Sequence, residues 1–125
     1  MKRMEAKLPQ RTGKPWGQEL LIGLTPRYAG KVIFVKKGYR LSLQYHRQKD
    51  ESMYIVTGSA SLELEMPDGK MEELTLKQGD CVRVPPMTKH RLKAIEDTTL
   101  FEVSTPELED VVRLADDYGR QIDTP

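Results

Sequence analysis

Cysteine occurs once, at Cys81, so no internal disulfide can form and a reducing cytoplasm is the expected setting. Histidine occurs only twice, as His46 and His90, and aromatic residues make up just 6% of the chain, which leaves few side chains to inspect for metal binding or stacking. No apolar run approaches membrane-spanning length, and no apolar stretch follows the basic residues near the start. Neither a transmembrane helix nor a secretory signal peptide is therefore expected. A dominant charge is missing too: the net charge of +1 argues against nucleic acid or an anionic membrane as partner. The local exception is the first fourteen residues, with Lys2, Arg3, Lys7, Arg11 and Lys14 against Glu5, of which 1–13 read as a basic arm that is solvated or packs on a neighbouring subunit. With 38% hydrophobic and 31% charged residues in a chain of 125, residues 14–125 read as a single globular domain.

What is present is a series of short segments separated by turn residues. Lys31–Lys37 contains the run Val32-Ile33-Phe34-Val35. Ser61–Met66 alternates, and Pro67-Asp68-Gly69 turns it into Lys70–Leu76. Cys81–Val84 is closed by Pro85-Pro86, and His90–Ile95 and Thr98–Ser104 follow. This spacing predicts an all-β barrel or sandwich of about eight to ten strands. Thr105 before Pro106, with Glu107 and Glu109 next and Leu108, Val111, Val112 and Ala115 at helical spacing, predicts a short C-terminal helix ending at Gly119.

Period-two parity sorts the polar residues. Gln44 and His46 share a face with Arg40 and Ser42, a set that alone reads as a solvent face. Glu51, however, shares its face with Met53 and Ile55, and His90 shares its face with Leu92 and Ala94. A carboxylate on an inward face is costly without a cation, so these residues read as a site inside the barrel.

Gly38, His46, Glu51 and Gly58, then Gly79, Pro85 and His90, resemble in register the two cupin motifs G-x5-H-x-H-x3,4-E-x6-G and G-x5-P-x-G-x2-H-x3-N. Gln44, Met87 and Ala94 stand where those motifs have histidine, glycine and asparagine. "KPWGQELLI" at 14–22, "LSLQYH" at 41–46, "VPPMTKHRL" at 84–92 and "LFEVSTPELEDVVRLADDYGR" at 100–120 resemble the isomerase domain of type II mannose-6-phosphate isomerases. The resemblance implies a cupin fold, a double-stranded β-helix or jelly-roll barrel, and a homodimer.

It also implies a divalent metal held by Gln44, His46, Glu51 and His90. Zinc is the first candidate, and manganese, iron, cobalt and nickel also suit such an N/O set. The implied reaction interconverts mannose 6-phosphate and fructose 6-phosphate, or a related sugar or sugar phosphate, with the metal stabilising a developing oxyanion. Other chemistries open to the fold are those of a lyase, epimerase or oxygenase on a small polar molecule, or non-catalytic sugar binding. Where the family has "QxHHHRAEHW", this chain has "QYHRQKDESM", so Lys49 replaces an arginine. Lys49, with a lowered pKa, and Glu102 are candidate bases, and Arg120, ahead of Arg40 and Arg91, is a candidate phosphate anchor. Trp16 and Tyr118 read as packing residues, and Cys81 as a buried strand residue rather than a nucleophile.

Overall fold

A computed structural model describes residues 3–123, so Met1 and Lys2 of the basic arm and the last two residues of the domain lie outside it. Eleven strands form, in chain order: β1 (Gln10–Lys14), β2 (Gly17–Leu24), β3 (Ala29–Val35), β4 (Leu43–Tyr45), β5 (Glu51–Thr57), β6 (Ser59–Glu65), β7 (Met71–Lys77), β8 (Cys81–Val84), β9 (His90–Ala94), β10 (Thr98–Ser104) and β11 (Val112–Ala115). They pair antiparallel into a six-stranded sheet, β1-β2-β3-β10-β5-β8, and a five-stranded sheet, β11-β4-β9-β6-β7. The inner faces enclose Ile33, Ile55, Leu62, Val84, Leu92 and Leu100, alternate apolar residues of both sheets, together with Trp16 from the turn between β1 and β2. This is the expected cupin architecture.

The N-terminal arm divides. Residues 3–9 are exposed without regular structure, while Gln10–Lys14 forms β1 at the sheet edge. Gly17 follows Trp16 where the backbones of β2 and β3 pass too closely for any side chain, since an added Cβ would lie 1.9 Å from the Phe34 carbonyl oxygen. Trp16 is thereby turned into the core, 2% exposed.

Two expectations are corrected. The described residues contain no helix, and the segment after β10 makes short turns, with Leu108 N–H donating to Pro106 O and Asp110 N–H to Glu107 O. Thr105 does not cap a helix: its hydroxyl oxygen accepts from Asp50 N–H at 3.0 Å, and its own N–H donates to Asp50 O. Helical spacing in 108–115 loses to the free edge of β4, on which Val112, Arg113 and Ala115 pair as β11. Cys81 is exposed rather than buried, because β8 is an edge strand and Cys81 is its first residue.

Met87, where the motif has glycine, adopts φ 60°, the only positive φ among the described non-glycine residues. Its N–H donates to the His46 carbonyl oxygen at 2.6 Å, which ties the two halves of the motif together. The conformation costs an L-residue about 1–2 kcal/mol, partly offset by the ~0.4–1 kcal/mol that glycine loses in ordering. The Met87 side chain is 61% exposed, so little packing is at stake. Met87→Gly is expected to raise the melting temperature by about 2–4 °C, measured by calorimetry.

Candidate metal centre

His46 follows β4, Glu51 opens β5 and His90 opens β9, so three chain segments deliver their side chains to one end of the space between the sheets. All three residues are buried, and one ligand atom from each lies within 4.8 Å of the others. Glu51 Oε1 is 2.8 Å from His46 Nε2 and 3.5 Å from His90 Nε2.

The protons of the imidazoles are fixed by the backbone. His46 Nδ1 lies 2.5 Å from the Asp110 carbonyl oxygen, and His90 Nδ1 lies 2.9 Å from that of Thr88. A carbonyl only accepts, so each Nδ1 carries a hydrogen, which leaves Nε2 as the nitrogen that faces Glu51 and, in the neutral ring, bears the lone pair. Burial also lowers the His90 pKa, against the pull of Glu51, and so favours its neutral form. Glu51 Oε1 is buried and no directed hydrogen bond reaches it. With both rings neutral, three acceptors converge with no donor among them, an arrangement that a cation resolves. Gln44 pairs with His90 across β4 and β9 and lines the same cavity.

The loop that carries His46 is held by a residue that sequence reasoning assigned to a helix. The Asp110 carboxylate accepts from the N–H groups of Arg47, Gln48 and Lys49 at 3.1, 2.6 and 3.0 Å, while its carbonyl oxygen holds His46. Burial opposes ionisation of Asp110, but these three N–H groups keep its carboxyl below the usual range. Asp110→Ala is expected to weaken metal binding about 10–100-fold, as loss of such outer support does. Titration against a chelating dye measures it.

Lys49 and Glu102 both line the cavity and are buried, with Nζ 3.2 Å from Oε2. Glu102 is pushed up to about 8 by burial first, then by the charge of Glu51 and a hydrogen bond to it. The Glu51 carboxyl would be raised by burial, but the Glu102 hydrogen bond, His46 and Lys49 hold it well below the usual range. Burial alone would lower Lys49, yet Glu102 and Glu51 raise it instead. Lys49 is thus an ammonium at neutral pH, contrary to the lowered pKa expected of a base. Arg47 and Gln48 are exposed and absent from the cavity wall, so of the three residues that depart from the family pattern only Lys49 reaches the site.

Arg120 lines the cavity, but its guanidinium is engaged by Asp116, at 2.8 Å from Nη2 to Oδ1. Arg40 and Arg91 both bind Asp117, and neither lines this cavity. Trp16 packs in the core, and Tyr118 packs against it while its hydroxyl donates to the Arg40 carbonyl oxygen at 2.6 Å. Lys14, Glu19, Lys31 and Arg113 also line the cavity and were not singled out from sequence. Lys31 had a legible signal, since it shares strand parity with inward-facing Ile33 and Val35. Arg113 had none, because its segment read as helix.

The sequence model of the family described as "Mannose-6-phosphate isomerase C-terminal" matches residues 1–116. The xanthan biosynthesis protein XanB of Xanthomonas campestris is 34% identical over 123 residues, which cover 94% of this chain and 25% of XanB. The mannose-1-phosphate guanylyltransferase of Escherichia coli K12 is 33% identical over 123 residues, with the same coverage of 94% and 25%. The chain thus spans about a quarter of the length of these relatives. Among solved structures, KdgF from Halomonas superposes with a TM-score of 0.68 over 81% of this chain and 91% of KdgF, at 23% identity, a likeness of fold alone. Among the described residues, no helix is long and apolar enough to cross a membrane.

Proposed function

The chain belongs to the mannose-6-phosphate isomerase C-terminal family, as a cupin domain, and we propose that it is a metal-dependent aldose–ketose isomerase interconverting mannose 6-phosphate and fructose 6-phosphate. The observation that carries this reading is the convergence of His46 Nε2, Glu51 Oε1 and His90 Nε2, three buried ligand atoms within 4.8 Å of one another. These three residues would hold a divalent ion, zinc first among the candidates, with Gln44 as a fourth ligand. When bound, the ion would act as a Lewis acid toward the substrate's oxygens.

The remaining work falls to groups of the chain itself. Isomerisation moves a proton between adjacent carbons, so it needs a proton-transferring group in the cavity that is not a metal ligand. Glu102 is such a group, buried and fixed by Lys49 at 3.2 Å, and we assign it the proton transfer. Lys49 supplies a fixed positive charge beside it rather than a base. Trp16, Leu92 and Leu100 line the inner wall and limit water at the reacting carbons. Arg120 contributes to the rim as a positioning residue, with Asp116 holding its fork in place.

We place the protein in the cytoplasm, in keeping with its single free cysteine. We also expect a homodimer: Tyr54 and Phe101 are cross-strand neighbours, 46% and 42% exposed, and a second copy would cover them. Light scattering tells dimer from monomer.

The direct test of the reaction is a coupled assay of the purified chain, loaded in turn with zinc, manganese, cobalt, iron and nickel. Turnover of mannose 6-phosphate with at least one ion is expected. Absence of turnover with all five would refute the isomerase assignment.

A further inference from the structure

The cavity wall carries five cationic side chains, Lys14, Lys31, Lys49, Arg113 and Arg120, and four of them have carboxylate partners. Lys31 and Lys14 share Glu19 at 3.2 and 3.8 Å, Lys49 meets Glu102 at 3.2 Å, and Arg120 meets Asp116 at 2.8 Å. Arg113 has no ion pair and no side-chain hydrogen bond among the described residues, and its Nε is buried without a partner. A half-buried guanidinium with no counter-ion among the described residues forgoes charge-assisted hydrogen bonds that any neighbouring anion would supply.

Its position is set by strand register. Arg113 of β11 pairs with Gln44 of β4, and Gln44 pairs with His90 of β9. The three lie in one row across the sheet and all line the cavity. Two strand spacings separate the backbones of Arg113 and His90, about 10 Å. An open-chain hexose phosphate held at its first two carbons by one end of this row would bring its terminal group to the other.

The geometry points to Arg113 as the anchor for an anionic terminal group, phosphate or carboxylate, on the substrate. This deepens the isomerase reading and rests on it for what binds at the His90 end. Arg113 takes the role that the sequence offered to Arg120, whose fork is already occupied by Asp116. The Arg113 backbone N–H donates to the Asp123 carboxylate at 3.0 Å, a contact that side-chain substitution leaves in place.

Calorimetric titration of the metal-loaded protein with mannose 6-phosphate, glucuronate and unmodified mannose tests the assignment. The wild type is expected to bind an anionic sugar at least tenfold more tightly than mannose. Arg113→Gln should erase that preference, losing about 10–100-fold in affinity, with metal content unchanged. Preference for glucuronate over mannose 6-phosphate would keep the anchor while overturning the isomerase reading. Equal affinity for mannose and both anionic sugars in the wild type, or an unchanged preference in Arg113→Gln, would overturn the anchor. A readout on the unsubstituted protein covers the case in which the variant does not fold. The Arg113 Nε–H resonance is expected to shift on titration with inorganic phosphate, and an immobile resonance contradicts the proposal.

Discussion

The double variant His46→Ala, His90→Ala is expected to lose the metal: affinity should fall at least about a thousandfold, and a dialysed sample should contain none. Disturbing only the outer support of a ligand typically costs 10–100-fold, and this variant removes two of the three converging atoms themselves. The remaining carboxylate of Glu51 would then resemble an isolated surface acid in its affinity. The buried setting makes matters worse for it, since the charge would have neither imidazole nor metal ion beside it. Elemental analysis of wild type and variant, prepared and dialysed together, measures the difference. Equal metal content in the two would show that these histidines do not hold an ion.

The second large effect concerns Glu102. Glu102→Gln keeps the size of the side chain and can still accept a hydrogen bond from Lys49, but it cannot take or give the proton. Positioned acid–base groups contribute about 10²–10⁴ in rate, and kcat for isomerisation is expected to fall by that factor. Metal content should stay near the wild-type level, because Glu102 is not one of the three converging residues and the glutamine amide can still donate a hydrogen bond to Glu51. A variant that loses metal together with rate would mean that Glu102 supports the metal rather than the proton transfer. A variant that keeps full kcat would remove Glu102 from the reaction altogether.

The centre was legible in the sequence to an uneven degree, and the unevenness has physical causes. His90 and Glu51 stood out because each sits in strand parity with apolar neighbours, and burial follows parity. The motif spacing added His46, which a face-by-face reading alone would have left on a wet surface. Asp110 and Arg113 were not legible, because 105–119 offers helical spacing, a cap and acidic first-turn residues all at once. Those local preferences yield to pairing partners far earlier in the chain, where Val112 and Arg113 find the free edge of β4 at Tyr45 and Gln44. No local pattern reports an unpaired strand edge elsewhere in the chain. Cys81 was misplaced for the same reason, since its exposure comes from the edge position of β8 and not from its own neighbours. Lys31 was readable by parity but was overlooked beside the apolar run that follows it.

The departure at residues 47–49 also takes on a smaller meaning in three dimensions. Arg47 and Gln48 project into solvent, with the Arg47 guanidinium 5.9 Å from the Tyr45 ring centroid. Their backbone N–H groups, rather than their side chains, serve the site, through Asp110. Only Lys49 brings its changed chemistry into the cavity, as a compact ammonium paired with Glu102.

The account stands on a cation between two imidazoles and a carboxylate, and anomalous diffraction from a crystal of the zinc-loaded protein tests it most directly. The expected result is a zinc peak about 2.0–2.2 Å from Nε2 of His46, Nε2 of His90 and Oε1 of Glu51. A zinc-loaded crystal with no peak between those three atoms would contradict it.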